Sequence, residues 1–409
     1  MIIYNFLRII VYLILAPISR FNQNLYLFLK RRIFRIMTYN FKEAFWFHMA
    51  SMGEVNLSHD LIKKIANNPN ENILISVVTD TGYETAINKY KNYKNVQVIY
   101  FPLDDYFIIK NIVKKINIKK LILIETEIWP NLINIVSKKT KIILVNGRIT
   151  EKSYKKYIKI KFFIDRIFNK IDIFLMQTED DANRIRKFNI KRDKITVVGN
   201  LKFNIDYEKN SEDYNKNLIK KLNFYYKPIF IAGSTREGEE EIILEVYNNL
   251  EDDFNLIIAP RHIERVTKIT KLISEKGYNY KKWSQLDEET DIKNTIIIVD
   301  EIGILRSLYQ ISDIVFVGGT LVNVGGHSLL EPLYYGKTPI FGKYTQNVSD
   351  IASAILKREI GYIVNNKEEF ISAIKKIKNE NNLKKYNIDK FFDEHKNVLN
   401  TVYNNIINL

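Results

Sequence analysis

The sequence predicts an α/β protein with two doubly wound halves, and three observations carry that prediction. Short apolar runs alternate with amphipathic or basic helical stretches, which is the pattern of βαβ units building parallel sheets. The alternation stops in a polar stretch at 206–217 and restarts at 228. The 409 residues exceed what one ordinary core holds, so two or three domains are expected.

Strands are expected at 45–49, 73–78, 96–100, 121–124, 142–145, 173–176 and 195–198. After the break they are expected at 228–232, 256–259, 296–299, 314–317, 339–341 and 362–364. Ligands of such sheets bind beyond the carboxyl ends of the strands. With two halves, those ends are expected to face each other across a cleft. The expected division is an anchor helix at 1–20, a first domain at 21–205, a linker at 206–226 and a second domain at 227–409. Packing of the last helix back onto the first domain is left open.

Composition narrows the chemistry. There is no cysteine, which excludes disulfides, thiolate metal sites and cysteine nucleophiles. The five histidines (His48, His59, His262, His327, His395) are scattered, so no structural zinc site is expected. The formal charge of +15 reads either as attraction to polyanions or as the drift of a chain saturated with Lys, Asn and Ile. No nucleic-acid-binding module pattern is present, so no nucleic-acid partner is expected.

The first 18 residues are almost wholly apolar but carry Asn5 and Arg8. Basic residues follow at Arg20, Lys30, Arg31, Arg32 and Arg35. A signal peptide puts its charge first and ends in a small-residue cleavage site, and neither is present. The reading is a membrane-anchoring helix whose polybasic flank stays on the cytoplasmic side, against the alternative of an ordinary core helix.

The candidate chemistry falls just after strands. Ser51-Met52-Gly53-Glu54 is both a capping box and a possible general base with a glycine beside it. Glu125-Thr126-Glu127-Ile128-Trp129 offers two carboxylates and an indole, read as solvated loop acids or as a sugar-handling site. Asn146-Gly147-Arg148 and Gly199-Asn200-Leu201-Lys202 place Arg148 and Lys202 where a substrate anion is held, or on the surface.

In the second half, Ser234-Thr235-Arg236-Glu237-Gly238-Glu239 opens a helix whose amides suit a phosphate or carboxylate. Pro260-Arg261-His262 places a guanidinium and an imidazole at a strand end. The richest segment carries Gly318, Gly319, Gly325 and Gly326 between a strand and a helix start, and reads as a phosphate seat. Its spacing differs from both the dinucleotide fingerprint and the P-loop, so a nucleotide or nucleotide-sugar held in another way is expected. Ser328-Leu329-Leu330-Glu331 repeats the capping-box ambiguity, with Glu331 also suited to ribose hydroxyls. No Asp-x-Asp occurs and nothing reads as a dedicated magnesium site. No metal or other cofactor is expected.

Taken together and in order, these segments resemble the 3-deoxy-D-manno-octulosonic acid (Kdo) transferases of lipopolysaccharide synthesis. The resemblance spans nearly the whole chain. It implies a two-domain GT-B glycosyltransferase held at the inner membrane, with its catalytic body in the cytoplasm. It implies CMP-Kdo as donor, a lipid A precursor as acceptor, inner-membrane lipid as a further partner, and an inverting, metal-independent transfer. Glu54 matches the family's general base. Glu125 and Lys202 match positions that assist the transition state, Glu127 being the alternative acid. Pro260, Arg261 and His262, then Ile302, Gly303 and Ile304, then Ser328 to Glu331 match the CMP-binding segments. The family commonly has Gly-Glu-Leu where Gly303-Ile304-Leu305 stands, and Asn where Ser328 stands. Backbone contacts survive both changes, and the side-chain contacts are not carried over. The rival readings are a GT-B enzyme acting on a UDP-sugar (transferase or 2-epimerase) and a non-catalytic binder of anionic lipid.

Overall fold

The computed structural model describes residues 1–33, 38–205, 207–222, 227–250, 254–286, 294–379 and 381–409. Arg35, Asp206 and residues 223–226 of the expected linker lie outside the described residues. The chain forms two compact units, one of Met1–Asn204 with His395–Leu409, the other of Ile205–Glu394.

The first unit is built on a seven-stranded sheet. Its strands are β1 (Glu43–Met49), β2 (Ile73–Val77), β3 (Val96–Tyr100), β4 (Asn117–Ile124), β5 (Lys141–Gly147), β6 (Ile173–Met176) and β7 (Ile195–Val197). They pair in the order β3-β2-β1-β4-β5-β6-β7, all parallel. Both faces are covered, so the central strands are apolar without alternation. Phe45, Phe47 and Met49 of β1 enter one core, while Ala44 and Trp46 enter the other. The helix Val398–Asn408 belongs to this unit because Val398, Val402 and Ile406, four apart, form one stripe that packs with Phe45 and Val55. Lys120 Nζ donates to the carbonyls of Ile406 and Ile407 and closes its last turn.

The second unit repeats the plan. Its strands are β8 (Ile229–Thr235), β9 (Asn255–Pro260), β10 (Asn279–Lys282), β11 (Thr295–Ile298), β12 (Ile314–Val317), β13 (Pro339–Gly342) and β14 (Tyr362–Val364). They pair in parallel in the order β10-β11-β9-β8-β12-β13-β14. Phe230, Ile258, Phe316 and Phe370 sit in its core. Every apolar run expected as a strand is one, and β10 is the strand the apolar pattern lacks. Asn-Tyr-Lys-Lys lies at the sheet edge and is mostly exposed, so it has no hydrophobic signal to give. Residues 206–226, read from sequence as a linker, contain the helix Glu212–Leu222, with Leu218 and Leu222 buried.

The sheet order reverses between β1 and β4 in the first unit and between β8 and β12 in the second. In open α/β sheets such reversals leave crevices at the carboxyl ends of the strands. The loops after these four strands carry Glu54, Glu125, the Ser234–Glu239 turn and the glycine-rich run.

The amino-terminal helix Ile2–Ser19 has a mean hydropathy of 1.9 and is long and apolar enough to cross a membrane, by length and composition. Arg32, counted from sequence in the basic flank, is instead buried. Its guanidinium donates to Val78 O at 2.6 and 3.0 Å and to Asp80 at 2.9 Å, and lies 3.8 Å from the Phe28 ring centroid.

Candidate active site

In the first unit the chain leaves β1 at Met49 and turns into the helix Met52–Leu57. Ser51 is the N-cap, its Oγ accepting from Glu54 N at 3.4 Å. The Glu54 carboxylate turns back to accept from Ala50 N at 2.6 Å and from the Ser51 hydroxyl at 3.0 Å. Only half of the expected capping box is formed: the Ser51 hydroxyl caps the helix, but the Glu54 carboxylate bonds the Ala50 amide in place of the Ser51 amide, and it is not an ordinary solvated cap. Burial pushes its carboxyl up to about 8, and the nearby charges of Glu127 and Glu125 add to that push. The Ala50 amide and Ser51 hydroxyl pull the other way, and burial wins.

Those two neighbours come from the loop after β4. Glu125 has a φ of +57°, a left-handed conformation that a non-glycine residue rarely adopts and that concentrates at functional sites. Glu127 is also raised, by burial first, and accepts from Trp129 Nε1 at 2.8 Å. The Trp129 ring is held by Phe101, 4.8 Å away, and by the edge of His48, at 5.9 Å. His48 is fully buried. Ser76 Oγ, which accepts from Trp46 Nε1 at 2.8 Å, lies 2.9 Å from His48 Nδ1. Burial lowers the His48 pKa to about 3, so the ring is neutral. The result is three carboxylates at one sheet reversal, one of them, Glu127, hydrogen-bonded to a tryptophan packed on Phe101 and His48.

Lys202 is placed by a polar chain. Asn146 (φ +57°) accepts from Leu201 N at 2.9 Å through Oδ1, and its carbonyl accepts from Gln177 Nε2 at 3.0 Å. Gln177 Oε1 accepts from Asn200 Nδ2 at 3.0 Å, and Asn200 Oδ1 accepts from Lys202 N at 2.9 Å. The loops after β5, β6 and β7 are thus one network. Gln177 was not singled out in the sequence; it opens the polar run that follows the apolar β6, and nothing sets it apart from Thr178 to Asp181 beside it. Arg148 is tied through its backbone to Thr126, its N–H donating to Thr126 Oγ1 at 3.1 Å.

In the second unit the phosphate-seat expectation needs correction. The amides of Gly319, Thr320 and Leu321 donate to Glu239 at 2.7, 2.9 and 2.9 Å, and Arg236 N joins them at 2.9 Å. The anion these amides hold is the protein's own buried carboxylate. The same carboxylate, with Glu240 and Glu241, fills the first turn of the helix Glu239–Asn248, so that helix end is already neutralised. Gly318 is required by packing: a Cβ there lies 2.4 Å from Ser234 O. The helix after the run, Leu330–Tyr334, is only five residues long and carries no side-chain cap. The expected Ser328–Glu331 capping box is therefore not formed.

What remains around the glycine run is cationic and polar. Arg236 donates to His327 Nε2 at 3.1 Å and lies 2.7 Å from His262 Nε2. Burial, then Arg236 and Arg261, lowers His327 to about 4, so it is neutral and accepts. Arg236, in the Ser234–Glu239 segment, joins this cluster, and no pattern in the sequence sets it apart from its neighbours. Arg261 N donates to Thr235 O at 3.1 Å and ties the turn after β9 to the end of β8. Pro260, Gly325 and Gly326 are buried beside these turns. Glu331 is raised by burial while Arg306 and Arg261 pull it down. Arg306 Nε lies 3.9 Å from Glu331 and its guanidinium 4.6 Å from the Tyr207 ring centroid. Leu329 and Leu330 are buried core residues that offer a ligand only their backbone. Ile302 is exposed, Gly303 has a φ of +99°, and Ile304 precedes the helix Leu305–Ile311.

Residues 27–205 match the family model described as 3-Deoxy-D-manno-octulosonic-acid transferase (kdotransferase). A 3-deoxy-D-manno-octulosonic acid transferase of Chlamydophila psittaci is 32% identical over 77% of this chain and 73% of its own length. The chain belongs to the 3-deoxy-D-manno-octulosonic acid transferase family. This Kdo transferase family member is therefore a glycosyltransferase. An Aquifex aeolicus relative of the same description is 31% identical over 82% of this chain and 86% of its own. A bifunctional glycosyltransferase/methyltransferase of Fusobacterium nucleatum is 50% identical over 96% of this chain, which spans 61% of that protein's length. The fold is GT-B. A Rickettsia africae glycosyltransferase superposes with a TM-score of 0.52 at 16% identity, covering 90% of this chain and 99% of that one. A UDP-GlcNAc 2-epimerase of Neisseria meningitidis does so with 0.55 at 11% identity, over 90% of this chain and all of that one.

Proposed function

We propose that this Kdo transferase family member transfers Kdo from CMP-Kdo to a sugar hydroxyl of a lipid A precursor, with inversion and without a bound metal ion, at the cytoplasmic face of the inner membrane. The observation that carries the reading is the trio Glu54, Glu125 and Glu127 at the first sheet's reversal, in a family of this activity. A base works best when its pKa lies near the working pH, and burial brings Glu54 there.

Glu54 takes the acceptor hydroxyl proton as that oxygen bonds to the anomeric carbon. The bond from that carbon to the CMP phosphate oxygen breaks, and its electron pair leaves with CMP. Positive charge developing on the sugar ring is matched by the carboxylates Glu125 and Glu127. Lys202, Arg261 and Arg236 are assigned to the anionic groups: the Kdo carboxylate and the departing phosphate. Glu331 is assigned to the ribose hydroxyls. The amides of Gly319 to Leu321 are left out of phosphate binding, because Glu239 occupies them.

The test is incubation with CMP-Kdo and a tetra-acylated lipid A precursor, followed by mass spectrometry. A product heavier by one or more Kdo residues is expected. Unchanged acceptor with CMP-Kdo, together with turnover of a UDP-sugar, overturns the reading. The pH dependence is a second check. kcat/KM is expected to climb with pH to a plateau above about 8, the value to which burial raises Glu54. Glu127→Gln removes a neighbouring negative charge and is expected to move that climb to lower pH. A profile that falls between pH 6 and 8 contradicts the assignment.

A further inference from the structure

The notable feature of the amino-terminal helix is where its polar residues go. Tyr4, Asn5, Arg8 and Tyr12 fall within one stripe of about a quarter of the circumference at 3.6 residues per turn. Each is bonded to the first unit. The Tyr4 hydroxyl donates to Asp104 at 2.9 Å, and Arg8 pairs with Asp105 at 2.7 Å, both side chains largely buried. Asn5 and Asn131 exchange side-chain hydrogen bonds at 3.1 and 2.7 Å. The Tyr12 hydroxyl donates to Leu103 O at 3.2 Å.

The receiving loop is built for this. Leu103 and Asp104 have positive φ angles, and the fully buried Asp104 also accepts from Asn131 N and Leu132 N at 2.8 Å each. Met1 packs against this unit's core at one end of the helix, and Ser19 is buried at the other. The opposite face presents Ile3, Phe6, Leu7, Ile10, Leu13 and Ile14, all exposed. Arg20, Lys30 and Arg31 lie exposed just beyond the helix.

We propose that the helix Ile2–Ser19 does not cross the bilayer but lies along one leaflet, bolted to the first unit by Tyr4, Asn5, Arg8 and Tyr12, with its apolar face among the acyl chains. The proposal rests on the membrane reading above and fixes its geometry. A helix of this length spans about 27 Å along its axis. Were it to cross, Met1 would leave the core it packs on, and Asn5 and Arg8 would enter hydrocarbon stripped of their partners. Lying flat, every polar group keeps its bond, and the apolar face meets lipid while the basic flank meets anionic headgroups. Asn131 gains a role here. It directly follows the segment that carries Glu125, Glu127 and Trp129 and bonds both Asn5 and Asp104, so the helix seat and the carboxylate loop meet at this residue.

The absence of cysteine makes the test direct. Ile3→Cys, Ile10→Cys and Ile14→Cys, each at an exposed position on the apolar face, are labelled with a fluorophore in the full chain. They are bound to vesicles of phosphatidylethanolamine and phosphatidylglycerol, and read by nitroxide-lipid quenching at graded depths. Equal, shallow depths for all three, in the leaflet of addition, are expected. A gradient that places residue 3 at the far leaflet overturns the flat geometry and leaves the transferase reading intact. Failure to bind vesicles, with full transfer to detergent-dispersed acceptor, removes both the flat helix and the membrane placement but not the reaction.

Discussion

Glu54→Gln is expected to lower kcat by roughly 10²- to 10⁴-fold, the usual worth of a positioned general base, with the protein still folded. The substitution keeps the side chain's shape, and its amide oxygen still accepts from the Ala50 N–H. The proton-accepting charge is lost, and at the second oxygen's place the amide nitrogen donates to the Ser51 hydroxyl instead of accepting from it. Stability separates this role from capping. The Glu54 pKa in the folded chain is raised from 4.5 to about 8. Its contribution to stability is therefore fully present below about 4.5 and is lost as pH rises through about 8. At pH 9 the variant carries no buried charge and is expected to unfold at or above the wild-type temperature. Inactivity with undiminished stability marks a base. Retained activity with a lower unfolding temperature marks a mere helix cap.

Glu239→Ala is expected to produce the largest loss of stability. Four backbone amides converge on this carboxylate, three of them from the loop after β12, about eighty residues away in sequence. Each buried donor left without a partner costs about 1–3 kcal/mol, and water entering the gap relieves part of that. A net loss of about 3–5 kcal/mol is expected, measured as a lower urea midpoint for the variant. CMP affinity is expected to fall at least about tenfold in the same variant, because the loop that carries Glu331 loses its internal anchor. Unchanged CMP binding would show that the loop is held by other means.

The difference between these two acids shows what the sequence discloses. The strands were legible because each is a short apolar run between polar helices, and β10 escaped because a four-residue polar edge strand buries almost nothing. The carboxylates at 54 and 125 were legible as loop residues after strands. The sheet order adds that these strands are neighbours at the reversal, which puts the acids within electrostatic reach. The glycine-rich run misled in part. Its glycines announce amides free to converge on an anion, but no local pattern says whether that anion is a ligand or a distant glutamate. Ser51 and Ser328 open the same four-residue pattern. One caps a helix and the other does not, because the second helix begins two residues later, at Leu330. Asn5 and Arg8 read as liabilities in an apolar segment until Asn131 and Asp105 are seen opposite them.

We assign the acceptor's proton to Glu54 and a share in holding the nucleotide to Glu331. Calorimetric titration of CMP into the wild type, Glu54→Gln and Glu331→Ala tests that division most directly. The predicted result is CMP binding in the wild type, the same affinity in Glu54→Gln, and an affinity weaker by about 10- to 100-fold in Glu331→Ala, the worth of hydrogen bonds to a charged group. No heat with CMP in the wild type, or binding lost in Glu54→Gln and kept in Glu331→Ala, would contradict it.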